Sequence, residues 1–185
     1  MCTLRPSFTV AWLLTVLLAA TGNLAAQSPF VRGSVRGTPQ VNGVELDADG
    51  LFFVIERSEV MAASGELASV KRQLLQALLL FTPDTEFAMV FFDRNVLQFP
   101  HAVEPARGTR ETLLEASNFV RAAPGGIGRC LHAGLRAALQ FAGASSARRK
   151  LIVVLSTLGF AVVNVTSGRT LESVLQELRA ASSDC

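Results

Sequence analysis

The apolar run Leu51-Phe52-Phe53-Val54-Ile55 is interrupted by Glu56, Arg57, Ser58 and Glu59 before Val60 and Met61 resume it. A buried strand that ends in a charged, hydroxyl-bearing loop is a common place for a metal or phosphate site. Three chemistries can be tried on these residues. Glu56 and Glu59 could form a carboxylate pair for acid–base work. Cys130 and His132 could be two ligands of a metal. Glu56, Ser58 and Cys130 could serve an enzyme working at the same strand end.

None of these is completed by the rest of the sequence. No cleft is predicted around Glu56 and Glu59. His101 and His132 are the only histidines, and no second ligand pair completes a zinc site; His132 reads as a solvated or partly buried helix-face side chain. The loop Gly125-Gly126-Ile127-Gly128-Arg129-Cys130 lacks the Gly-x-x-x-x-Gly-Lys-Ser/Thr of a phosphate loop. It also lacks the third glycine of a dinucleotide fingerprint, and it follows a predicted helix instead of a strand. No Gly-x-Ser-x-Gly elbow occurs. The chain is therefore read as non-catalytic.

The elements that must position these residues follow from periodicity and punctuation. Residues 27–48 form a glycine-containing lead-in with an edge strand over 40–46. Residues 51–55 read as a strand buried on both faces. Ser64 is expected to cap a helix with Glu66 in its first turn and a stripe of Leu67, Val70, Leu74 and Leu78, joined by Leu75 and Leu79. Strands follow over 86–92 and 96–99, joined by the tight turn Asp93-Arg94-Asn95. Thr109 caps a helix running to about residue 122, and the glycine loop feeds another over 130–141. The strand over 151–155 is the most apolar, and a last helix over 170–181 buries Leu171, Val174, Leu175 and Leu178. Strands alternating with amphipathic helices predict a doubly wound, mostly parallel α/β sheet with helices on both faces and one antiparallel edge strand. The crevice of such a sheet lies beyond the carboxyl ends of its strands, which gathers the loops after Ile55 and Phe92, the glycine loop, and the loop after Leu155.

At 185 residues the chain has room for one domain with a self-sufficient core, and half of its residues are apolar, which excludes a disordered role. The formal charge of +2 carries almost no information, and the absence of tyrosine with a single tryptophan argues against an aromatic stacking platform for nucleic acid. The stretch Ala147-Arg148-Arg149-Lys150 reads as a solvated helix end. Residues 1–26 have the layout of a secretory signal, with Arg5 at the start, an apolar middle over 8–20, and small residues up to Ala26. Cleavage after Ala26 removes Arg5, lowers the charge from +2 to +1, and predicts a secreted or periplasmic protein with no membrane attachment. An uncleaved anchor stays open. Cys2 lies in the signal, so Cys130 and Cys185 remain, free or paired across a long loop.

From residue 49 to about 160 the sequence resembles the von Willebrand factor type A domains. Val54-Ile55-Glu56-Arg57-Ser58-Glu59-Val60-Met61 is similar to that family's Val-x-Asp-Arg-Ser-Gly-Ser-Met segment. The likeness continues through the following helix, the strand Phe87-Ala88-Met89-Val90-Phe91-Phe92, the Pro124-Gly125-Gly126 loop, and Arg149-Lys150-Leu151-Ile152-Val153-Val154-Leu155-Ser156. Beyond the signal over 1–26 and the lead-in over 27–48, the resemblance implies a truncated type-A-like domain over 49–185, used for adhesion or protein binding. It also implies a metal-ion-dependent adhesion site. There an Asp-x-Ser-x-Ser loop, a threonine and a second aspartate hold Mg²⁺ at about 2.0–2.1 Å, and an acidic partner completes the shell.

Carried over, that site is degenerate. Glu56 stands for the first aspartate, its carboxylate displaced by on the order of 1.5 Å, one C–C bond. Ser58 keeps a hydroxyl, and Val60 replaces the second serine. The threonine falls on Ile127 or, by spacing from the following helix, on Arg129; Thr157 replaces the second aspartate. No metal or other cofactor is expected, since too little negative charge remains to strip water from Mg²⁺. Arg129 is expected to pair with Glu56 where the cation would sit; alternatively Glu56, Arg57 and Glu59 are solvated loop charges. The expected function is metal-independent protein binding at the strand-end edge through Glu56, Arg57, Ser58 and Arg129, without nucleic acid. Residual Mg²⁺-dependent binding and a decaying, truncated copy without function are the alternatives. Family members usually carry two more strands, so the strand over 151–155 is expected to be a sheet edge. Residues 160–165 could fold back on it, or a second copy could pair there.

Overall fold

The computed structural model describes residues 37–165 together with Ser173 and Gln176, which are helical and exposed. The signal over 1–26, Cys185 and the apolar stripe of the last helix lie outside the described residues.

The described residues open with a hairpin of β1 (Gln40–Val41) and β2 (Val44–Glu45). The expected single edge strand over 40–46 is instead folded on itself at Asn42-Gly43, with φ of 50° and 75°. Positive φ at both central residues makes a two-residue turn whose twist suits a hairpin, and Asn-Gly is the pair that adopts it at least cost. Next come β3 (Gly50–Glu56), the short helix α1 (Glu59–Ala63) and α2 (Glu66–Leu78). Ser64 does not cap α2: it ends α1, and Gly65, in the left-handed conformation, occupies the cap position of α2. The strands β4 (Glu86–Phe92), β5 (Val96–Phe99) and β6 (Ala106–Arg107) follow, the last with no forewarning in the sequence pattern. Helix α3 (Arg110–Ala122) is capped by the hydroxyl of Thr109, which accepts from the Thr112 amide, a contact worth about 1 kcal/mol. Helix α4 (Leu131–Ala144), β7 (Lys150–Ser156) and β8 (Gly159–Asn164) complete the described chain.

These elements make an α/β fold with a mixed sheet in the order β5-β4-β3-β7-β8, with β6 also on β4. Only the central pairings, β3 with β4 and β3 with β7, are parallel; β5, β6 and β8 run antiparallel to their neighbours. The expectation of a mostly parallel sheet with one antiparallel edge is thus corrected to antiparallel strands at both edges. The connections explain it: short turns after Phe92 and Ser156 can only reverse the chain, whereas a parallel return needs a crossover.

Side chains of β3 alternate between two packing layers. Leu51, Phe53 and Ile55 meet α2 and α3 residues such as Leu74, Leu78, Ala116 and Val120. Phe52 and Val54 meet Leu135, Ala138 and Phe141 of α4. Covering both faces explains why β3, β4 and β7 read as unbroken apolar runs; each fully buried phenylalanine removes about 1.5–3 kcal/mol worth of apolar surface from water. The α2 stripe packs as expected at Leu67, Val70, Leu74 and Leu78, but Leu75 is half-buried and Leu79 exposed, its place taken by Ala77. β8 pairs with β7 along its length, from Leu151↔Asn164 to Ser156↔Gly159. The β7 edge is therefore covered from within the chain and offers no free strand to a second copy. No helix among the described residues is long and apolar enough to cross a membrane.

Candidate functional site

The loops at the carboxyl ends of β3, β4 and β7 meet the glycine loop that precedes α4. β3 delivers Glu56 at its last position, 1% exposed. Its carboxylate is held by the β7–β8 turn: the Thr157 amide donates to Oε2 at 2.9 Å, and the Thr157 hydroxyl donates to Oε1 and Oε2 at 3.1 and 3.0 Å. That hydroxyl oxygen in turn accepts from Nη1 of the exposed Arg129 at 3.2 Å. The expected direct Arg129–Glu56 ion pair does not form. Thr157 stands between them, and its hydroxyl passes the polarisation from guanidinium to carboxylate. The reason is reach: Thr157 lies one residue beyond β7, beside β3 in the sheet, and gets to Glu56 with its own backbone.

Arg57 is 6% exposed, so neither it nor Glu56 is a solvated loop charge, whereas Glu59 is exposed. Arg57 turns to the end of β4, where Nη2 pairs with Oδ2 of buried Asp93 at 3.0 Å and Nη1 donates to the Pro124 carbonyl at 3.3 Å. Among the described residues, Nε of Arg57 is buried without a hydrogen-bond partner. The glycine loop wraps this pair. The Gly126 amide donates to the Arg57 carbonyl at 2.6 Å, the Ile127 amide to Asp93 Oδ2 at 3.2 Å, and the Cys130 amide to the Asp93 carbonyl at 2.7 Å. A Cβ on Gly126 would lie 1.8 Å from Asp93 Oδ2, so only glycine lets the loop close on the carboxylate. Asp93 also accepts from the Asn95 amide at 2.6 Å, which makes the tight turn into β5. The sequence placed Asp93 in that turn but gave no signal that it would hold Arg57, 36 residues earlier.

Ser58 is buried, and its hydroxyl accepts from the Met61 amide at 3.3 Å, capping α1. Val60, Ile127 and Leu158 are each more than half exposed, on α1, the glycine loop and the β7–β8 turn. Of the sequence-proposed binding residues, then, Glu56, Arg57 and Ser58 are buried supports and Arg129 faces solvent. His132 is exposed on α4, and Cys130 carries a free, half-buried thiol at its start. Beside the cluster, a cavity of about 340 Å³ runs between Met61, Glu66, Val70 and Gln73 on one side and Thr157 and Phe160 on the other.

Among the described residues no group of three or more His, Cys, Asp or Glu could hold a metal ion. The oxygen set at the strand ends is two carboxylates, Glu56 engaged at both oxygens and Asp93 paired with Arg57 and bonded by the Asn95 and Ile127 amides, with the Ser58 and Thr157 hydroxyls and a guanidinium on the latter. That set does not fit a hard divalent cation, which needs free oxygen ligands and carries the same charge sign as Arg129. Compared with known proteins, the chain matches no family model and no curated protein.

Proposed function

We propose that this is an exported, non-catalytic protein-binding module of the von Willebrand type A kind, a doubly wound α/β domain that engages its partner at the carboxyl edge of the sheet without a divalent cation. The observation that carries this reading is the Glu56–Thr157–Arg129 chain of hydrogen bonds. It satisfies the buried carboxylate with groups of the protein itself where the resembled family keeps a cation. Around it, the exposed Val60, Ile127 and Leu158 give the same edge an apolar rim. Exposed aliphatic groups beside an exposed arginine are the composition of a docking surface, in which apolar contacts supply area and the guanidinium supplies orientation.

Two measurements test it together. Titration with Mg²⁺ or Mn²⁺ is expected to leave the melting temperature unchanged, and clear stabilisation at sub-millimolar metal overturns the metal-free reading. A partner captured from the extracellular medium is expected to stay bound in EDTA and to be lost with Ile127→Asp or Leu158→Asp, but not with Leu79→Asp, an exposed leucine at the end of α2. Equal loss with all three variants overturns the docking edge.

A further inference from the structure

Asn164 is the only asparagine in the chain followed at two residues by serine or threonine, in Asn164-Val165-Thr166. It is the last residue of β8 and is exposed, while Val163 before it is buried against the α4 side of the sheet. The Val165 amide donates to the Lys150 carbonyl at 2.9 Å, so the backbone on either side is fixed while the Asn164 carboxamide has no hydrogen-bond partner among the described residues. Asn-x-Thr with x other than proline is the acceptor pattern for N-linked glycan in the secretory route.

We infer that Asn164 is an N-glycosylation site. The inference rests on the export reading above, because the donor is met only by an exported chain. In the transfer, Nδ2 of Asn164 bonds to C1 of an oligosaccharide carried on a polyprenyl pyrophosphate. The C1–O bond to phosphate breaks, the lipid pyrophosphate leaves, and the Nδ2 proton passes to the transferase.

The position suits the folded product in two ways. Asn164 pairs with Leu151 at the amino end of β7, and the candidate docking edge lies past the other end at Thr157. Six strand residues separate them, about 20 Å at roughly 3.3 Å per residue, so a glycan leaves Arg129, Ile127 and Leu158 uncovered. β8 is also the outer strand of the described sheet, and a bulky hydrated group at its end hinders edge-to-edge pairing.

The test is expression of the full chain in glycosylation-competent cells, with digestion by peptide-N-glycosidase and parallel N-terminal sequencing for cleavage after Ala26. The expected result is a cleaved chain whose mobility shifts on digestion, with Asn164 converted to Asp in the released peptide. The shift is lost in Asn164→Gln and in Thr166→Ala and kept in Thr166→Ser. A signal-cleaved chain without the shift overturns the glycan and leaves the export reading standing; a cytosolic, uncleaved chain overturns both.

Discussion

Two buried glutamates sit at opposite edges of the same sheet and are satisfied in different ways. At the amino edge, Glu86 opens β4 and accepts from the Ser145 hydroxyl at 2.5 Å, the Ser146 amide at 3.0 Å, the Ser146 hydroxyl and Nη2 of Arg107 at 3.1 Å. Burial pushes its carboxyl up, but the Ser145 and Ser146 hydroxyls and the Ser146 and Ala147 amides together hold it below its ordinary value of 4.5. Those donors come from the turn between α4 and β7, whose backbone is fixed further by Lys150 Nζ on the Ala142 and Ser145 carbonyls at 2.8 and 2.7 Å. At the carboxyl edge, Glu56 is held by one residue, Thr157, with Arg129 behind it. The first arrangement closes a joint with several independent donors. The second closes a buried charge with a single two-residue turn and leaves apolar side chains in solvent around it. Apolar side chains left in solvent at a strand-end edge are where an α/β sheet can meet a partner.

The comparison can be broken most severely at the pair behind Glu56. Asp93→Ala strips Arg57 of its buried counter-charge and of the carboxylate on which the glycine loop closes. A loss of about 3–5 kcal/mol is expected in urea unfolding. A loss under about 1 kcal/mol would mean that Arg57 finds water and that the loop is not built on this pair.

A smaller effect is expected from Glu86→Gln, about 2–3 kcal/mol, since the amide must set an N–H₂ group against donors. Its signature is in the pH dependence. The folded pKa lies below 4.5, so the wild-type stability from Glu86 is complete above 4.5 and is lost as the pH falls from there through the folded value. The variant should lose less stability than the wild type over that acid range. Parallel acid profiles would remove Glu86 as the closing group of the amino edge.

The least costly change is Thr157→Val, which keeps the 2.9 Å amide contact and deletes the hydroxyl relay. About 1–2 kcal/mol is expected, with Arg129 more mobile on the picosecond–nanosecond scale by NMR. An unchanged Arg129 side-chain order parameter would show that Thr157 does not orient it.

Much of the scaffold could be read from local pattern. The bounds of β4 and β5, the Thr109 cap and the buried runs of β3 and β7 follow from two-residue and helical periodicity and from turn residues, all interactions within a few positions. The hairpin at Asn42-Gly43 was legible too, but the scattered valines around it suggested one strand. Ser58, expected to bind the partner, instead caps α1 through the Met61 amide, a spacing that equally suits a helix cap. Site contacts were harder because they join positions remote in sequence: Thr157 to Glu56, Asp93 to Arg57, Gly126 to Asp93.

The sequence by itself determined the strands β3, β4, β5 and β7, the helices α2, α3 and α4, and the burial of β3 on both faces; that Val60, Arg129 and Thr157 stand where a metal would need oxygen ligands or an acid belongs to the proposed type-A likeness. Tertiary structure alone decided that Arg57 is buried on Asp93, that Thr157 intervenes between Arg129 and Glu56, and that β8 covers β7. The physical reason is that periodicity records only whether a side chain faces core or solvent. A buried charge must find its partner among whatever donors the packed strands bring alongside, and that choice is made by register and loop reach.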